Sequence, residues 1–150
     1  KDIKNGTKPA ASKENGASEE EAGSSQSPLA VFQAAYKDYQ AERWSLALDG
    51  FAQYLKEEPE GSLADKSHYY SALTARAMKG NKKALDHLEQ ILERFPKSPL
   101  TKSAMLEKAK IYASEKRHAE AEGMLEYLAV TYPKSQEAEE ARELLKKLPK

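Results

Sequence analysis

Three prolines, Pro59, Pro96 and Pro133, stand 37 residues apart, and this period constrains the fold more than any other feature of the chain. Their surroundings repeat as well, as EEPEGS, RFPKSP and TYPKSQ. Twelve residues before each proline stands Ala47, Ala84 or Ala121; eight before, Phe51, Leu88 or Leu125; five before, Tyr54, Ile91 or Leu128. Twenty-four before stands Ala35, Ala72 or Ala109, and twenty-seven before, Phe32, Tyr69 or Leu106. Self-similarity at a fixed period of about 20–50 residues marks a repeat architecture, in which each unit buries its apolar face against its neighbours.

Within each period apolar residues recur every three or four positions, the spacing of an amphipathic helix. Val31, Ala34, Ala35 and Tyr39 fall on one face, and Leu46, Ala47, Phe51, Tyr54 and Leu55 on another. No stretch alternates with period two, and Asp49-Gly50 sits inside a helical pattern, so it reads as helix interior and not as a hairpin turn. The body is therefore all-α, with helices predicted near 28–42, 45–58, 63–79, 82–95, 99–115, 118–131 and 136–147. Two helices per period lie antiparallel. Small residues such as Ala35 and Ala47 let their backbones approach, and the large residue four after Ala47 fills the space between repeats. Each proline ends the second helix, because it cannot continue the hydrogen-bond ladder and restrains the residue before it. Ser27-Pro28 starts the first helix, Ser as cap and Pro at the first helical position. Ser98 (with Pro99 following) and Ser135 are expected to cap later helices in the same way. Gly61-Ser62 does so less regularly, with Asp65 in a capping-box-like role.

Residues 1–27 differ in character. Ile3 is their one large apolar residue among Lys, Glu, Gly, Ser, Ala, Asn and Pro, and Glu19–Glu21 form a short acidic run. Such a segment buries too little surface to offset the entropy of ordering it and reads as a disordered linker. The expected organisation is a linker at 1–27 and a repeat domain at 28–150. The domain holds repeats at about 28–61, 62–98 and 99–135 and a capping helix at 136–147, whose Ala138, Ala141, Leu144 and Leu145 share one face. The chain begins at Lys1 without an initiator Met, which suggests a processed protein or an excised fragment.

Chemistry is harder to find. There is no cysteine, which excludes zinc ribbons, thiol catalysis and a disulfide framework. A formal net charge of zero gives no reason to expect nucleic acid or an anionic membrane as partner. No stretch approaches the roughly 18 apolar residues of a membrane span. The histidines, His68, His87 and His118, read as lying in three different repeats, without metal-ligand spacing. There is no Gly-rich phosphate loop and no Gly-x-Ser-x-Gly. Carboxylates alternate with Lys and Arg, as on solvated helix faces. Neither an enzyme nor a cofactor nor a metal is expected.

The spacing of small residue, Ala, large residue and Pro, here Ala35, Ala47, Phe51 and Pro59 with their counterparts, resembles the tetratricopeptide repeat. The resemblance covers residues 28–147 and implies a right-handed α-α superhelix. Trp44, Asn81 and His118 occupy the inter-helix turn, where the family favours an aromatic, and the family's usual glycine before that turn is present only as Gly80. Two narrower resemblances follow from the Phe95–Ser98 and Tyr132–Ser135 segments, the Ala-x-x-Ala-x-x-x-Leu capping helix and the Ser/Gly/Ala linker. The first is to the C-terminal domain of the YbgF/CpoB proteins of the Tol–Pal system. The second is to BamD-like outer-membrane lipoproteins, which usually carry five repeats. Either implies a periplasmic or outer-membrane-associated scaffold of the cell envelope that binds a protein partner.

In such a stack the first helix of each pair lines the concave side. The repeat register then nominates Tyr36, Tyr39, Gln40, Arg76 and Lys110 as groove residues, because Tyr and Arg combine contact area with a polar handle. Phe32, Tyr69 and Leu106 read as packing between the paired helices, and Tyr54, Tyr112, Tyr127 and Tyr132 as core or repeat junctions. An uncapped first repeat could also stack on a second copy, with Trp44 in the contact.

Overall fold

The computed structural model describes residues 26–150, and the linker expected over 1–27 lies outside the described residues apart from its last two. The described residues form seven α-helices and no strand: α1 Pro28–Gln40, α2 Trp44–Glu57, α3 Ala64–Ala77, α4 Asn81–Arg94, α5 Thr101–Ser114, α6 His118–Thr131 and α7 Gln136–Lys147. They pack as three pairs, each on the next, with α7 closing the stack against α6. α1 also touches α3, and α5 touches α7, whereas the even-numbered helices make no comparable contact with one another. The stack therefore curves with the odd-numbered helices on the inside.

The helix ends separate what local chemistry dictates from what the stack dictates. Ser27 caps α1 by accepting from the Ala30 N–H, and Ser135 caps α7 by accepting from the Ala138 N–H, both as expected. Ser98 does not cap α5, which starts at Thr101 and not at Pro99. Its hydroxyl donates to Asp65 Oδ2 across the repeat boundary and accepts from the Leu100 N–H. Asp65 is held by that contact and not by a capping box, and α3 starts at Ala64 with no side-chain cap. Each turn inside a pair closes alike. The N–H of Arg43, Gly80 or Arg117 bonds the carbonyl of Asp38, Ala75 or Tyr112, five residues back. The residue before it, Glu42, Lys79 or Lys116, takes the left-handed conformation with φ near 60°. That is a Schellman-type ending. Gly80 thus falls one residue beyond the position that glycine would suit. Trp44, Asn81 and His118 are not turn residues but open α2, α4 and α6.

The core follows the repeat register. Ala47, Phe51 and Tyr54 of α2, Ala84, Leu88 and Ile91 of α4, and Ala121, Leu125 and Leu128 of α6 are all buried. Phe51 fills the gap between the first two repeats, with Phe32 at 5.6 Å and Tyr70 of the next repeat at 6.1 Å between ring centroids. Ala34 and Leu46, expected on the buried faces, are exposed, and so is Tyr127, expected at a junction. Leu46 shares its register with Lys83 and Glu120, which are exposed as well, so this position faces solvent in every repeat. Tyr127 points outward from α6.

Gly50 marks a close approach within the first pair. A Cβ there would lie 2.7 Å from Ala35 Cβ and 3.3 Å from Ala35 Cα, well inside van der Waals contact. Ala35 is itself buried and cannot yield without moving α1. Gly50→Ala gains helix propensity of about 1 kcal/mol but forces the helices apart, which costs about 1–3 kcal/mol. A net loss of about 1 kcal/mol is expected in urea unfolding. An equal or higher midpoint would show that the pair can spread freely.

The histidines correct the sequence reading. His68 and His87 belong to the same repeat, on α3 and α4, and their Nδ1 atoms lie 3.0 Å apart. His68 is buried and also packs against Phe95, with ring centroids at 6.2 Å. Its burial, the neighbouring His87 and Arg94 hold its pKa down at about 4, against a smaller upward pull from Asp65. His87 is lowered too, by burial and then by Lys83, against Asp86.

Candidate functional site: the concave face

The concave face is built by residues of α1, α3 and α5 and closed by α7. At the α1 end it is aromatic. Tyr36 stacks on Phe32 and on Tyr39, with centroids at 6.3 Å and 6.0 Å. Tyr70 of α3 packs against both tyrosines, at 5.0 Å and 5.1 Å. Tyr39 also meets Trp44 edge-on at 5.8 Å. The period explains the cluster: helical spacing puts residues 32, 36 and 39 on one side of α1, and the next odd-numbered helix faces it one repeat later. Apart from Phe32, which is buried, these rings are half-buried, so each keeps part of its surface open. Gln40, at the end of α1, is exposed.

Towards α7 the face becomes ionic. Arg76 Nη1 donates to Glu107 Oε1 at 2.8 Å. Lys110 Nζ lies 2.9 Å from Glu140 Oε2 and 3.5 Å from Glu107 Oε2. Ser103 Oγ donates to Glu137 Oε2 at 3.1 Å. A ladder thus runs α3–α5–α7, with Glu107 at its centre. Burial works against the Lys110 charge, but Glu140 and Glu107 outweigh it and hold its pKa above the ordinary value. The Tyr69 hydroxyl, desolvated and facing Glu107, is pushed up to about 12. Tyr39 is raised too, first by burial and then by Tyr36 and Glu107. A cleft of about 220 Å³ lies along this ladder, between Tyr69, Leu106 and Glu137.

The residues nominated from sequence therefore split into two groups. Tyr36 and Tyr39 join one aromatic cluster, with Trp44 at its edge. Arg76 and Lys110 join one ion-pair ladder, and Gln40 joins neither in the contacts described. Phe32 and Leu106 are buried, and Tyr69 is half-buried against the second core cluster. Sequence reasoning missed Tyr70, Ser103, Glu107, Glu137 and Glu140. The repeat register could have found some of them. The row Tyr36, Leu73, Lys110 lies three positions after the row Gln33, Tyr70, Glu107. One turn of helix separates the rows, so both face the same side.

This arrangement offers stacking surface, hydroxyls and paired charges, which suit recognition of a polypeptide. Among the described residues no group of three His, Cys, Asp or Glu side chains is placed to hold a metal ion. No helix among them is long and apolar enough to cross a membrane.

No curated protein matches the chain. A family model does: YfiO, described as outer membrane lipoprotein, matches residues 62–146, which span the second and third repeats and nearly all of α7.

Proposed function

This chain belongs to the YfiO family of outer membrane lipoproteins, and from that premise we propose that it is a non-catalytic protein-interaction scaffold of the bacterial envelope. Its partner, in this reading, lays an extended or helical segment along the concave face of the odd-numbered helices. The observation that carries the reading is the half-open cluster of Tyr36, Tyr39 and Tyr70 beside the Arg76–Glu107–Lys110–Glu140 ladder. Aromatic surface can anchor the segment, and the ladder can exchange its internal ion pairs for intermolecular ones. Of the two envelope readings, the family favours an outer-membrane assembly lipoprotein. The Tol–Pal reading, with a role in cell division or outer-membrane integrity, rests on the Phe95–Ser98 and Tyr132–Ser135 segments.

Tyr39→Ala combined with Arg76→Ala is expected to weaken capture of the envelope partner at least tenfold, or about 1.4 kcal/mol. Both side chains are partly exposed, so the circular-dichroism melt should fall by only a few degrees. Partner binding that survives the double change would remove the concave face from the account. A second reading, stacking of two copies through the first repeat, is favoured by the exposure there of Leu29 and Leu46, each more than half open. Trp44 would lie in or beside that contact. Sedimentation equilibrium that finds only monomer at tens of micromolar, a range covering weak interfaces, would discard it.

A further inference from the structure

The repeat supplies three copies of every position, so the outward faces of the even-numbered helices can be compared directly. α2 presents Ser45, Asp49, Gln53 and Lys56, and α4 presents Lys82, Asp86, Gln90 and Glu93. The same four positions of α6 hold Ala119, Gly123, Tyr127 and Val130. The helix has not rotated, since Ala121, Leu125 and Leu128 are buried in register with Ala84, Leu88 and Ile91. The spacing of four, four and three keeps the four residues on one side of the helix. Tyr127 is 51% and Val130 79% exposed, and the Tyr127 ring meets the half-buried Tyr132 edge-on at 6.4 Å, with the Lys102 ammonium over the Tyr132 ring. A helix with an apolar face on solvent lacks a partner for that face.

Two further observations say what kind of partner fits. A Cβ on Gly123 would meet nothing within 4 Å, so the fold itself does not require glycine there, and glycine weakens a helix. Its absence of a side chain leaves room for a close approach from outside. Along one edge of the patch stand Glu122 and Glu126, both exposed and in no ion pair among the described residues. Glu126 has the register of Glu89, which pairs with Lys108 of the following helix. The counterpart of Lys108 one repeat later is Leu145. The third repeat thus keeps the acid and has lost the base.

We propose that the outward face of α6 docks an amphipathic helix of another protein, apolar along one stripe, small where it crosses Gly123, and carrying Lys or Arg towards Glu122 and Glu126. A second copy of this chain fits poorly, because it would bring the same carboxylates against them. An anionic membrane surface is repelled by them as well. The surface is distinct from the concave face and does not rest on its role.

The test uses the full chain and a labelled synthetic helix of Ala, Leu and Lys, with Ala and Leu in one stripe and Lys on its flanks, read by fluorescence anisotropy. A scrambled peptide of the same composition serves as control. Binding at roughly tens of micromolar is expected, lost tenfold or more in Tyr127→Gln with Val130→Glu, the residues that the second repeat carries. Glu122→Lys with Glu126→Lys should reject this peptide and accept its Glu-flanked version. Gly123→Leu should raise the melting temperature and yet weaken binding, a split that a merely structural role would not give. The proposal is overturned if the scrambled peptide binds equally, or if none of these variants changes binding. It is also overturned if sedimentation finds a dimer that Tyr127→Gln dissolves, or if phosphatidylglycerol vesicles bind through Tyr127 while the peptide does not.

Discussion

Phe51→Ala is expected to destabilise the protein by about 3–5 kcal/mol, a large part of the total stability of a domain this size. The side chain is fully buried, and its ring touches Phe32 in its own pair and Tyr70 in the next. Removing it leaves a cavity at the junction of two repeats, where both walls belong to helices fixed by other contacts. The loss should also be local. Repeats contact only their neighbours, so stability is close to a sum of unit and interface terms. The third repeat has its own core of Leu106, Leu125, Leu128 and Ala141, closed by α7. Hydrogen exchange on the variant should therefore show protection falling in α1 and α2 well before α5 to α7. A uniform fall along the chain would mean that the stack unfolds as one cooperative block.

Acid should act through the His68–His87 couple. At a separation of 3.0 Å one Nδ1 donates and the other accepts, so the neutral pair is matched. A first added proton can go to the outer nitrogen of the donor ring, but a second puts hydrogens on both facing atoms. Folding holds His68 at about 4, below the ordinary histidine value near 6.5. The unfolded chain therefore binds more protons between these values, and stability falls as pH drops from about 6.5 towards 4. His68 alone accounts for about 2–3 kcal/mol over this window, and His87, lowered in the same direction, adds to it. Urea unfolding at pH 7, 5.5 and 4.5 measures it. His68→Asn keeps an amide nitrogen near the Nδ1 position and removes the titration. It should be less stable at pH 7 but much flatter with pH. An acid limb unchanged in this variant would assign the loss to carboxylates elsewhere.

The helices were legible because one period writes them three times. Ala35, Ala47 and Pro59 each recur at 37, with Leu in place of Phe51, and the stack buries the alanine and Phe/Leu positions in every repeat. What escaped was decided by contact between units. Ser98 looks like Ser27 and Ser135 in sequence, yet Asp65 from the preceding repeat takes its hydroxyl, and α5 starts later. The His68–His87 contact needed the antiparallel pairing to be applied to polar residues. The nineteen-residue separation that brings Phe32 to Phe51 also brings His68 to His87. The concave face was half legible. Tyr36, Tyr39, Arg76 and Lys110 came from two rows of the register, and the row with Tyr70 and Glu107 was left out. Glu107 then proves to be the carboxylate that joins Arg76 to Lys110. Gly50 was recognised as helix interior, but its near-contact with Ala35 depends on how closely α1 and α2 pack, which no single-helix pattern records.

The most direct measurement is photo-crosslinking in living cells from a benzoylphenylalanine placed at one position at a time. Positions 40 and 73 sample the odd-numbered helices, and positions 49 and 86 the outward faces of α2 and α4. A scaffold that holds its partner on the inner curve gives a crosslink to one and the same envelope protein from 40 and 73, and none from 49 and 86. Crosslinks to that protein from 49 and 86 alone would contradict it.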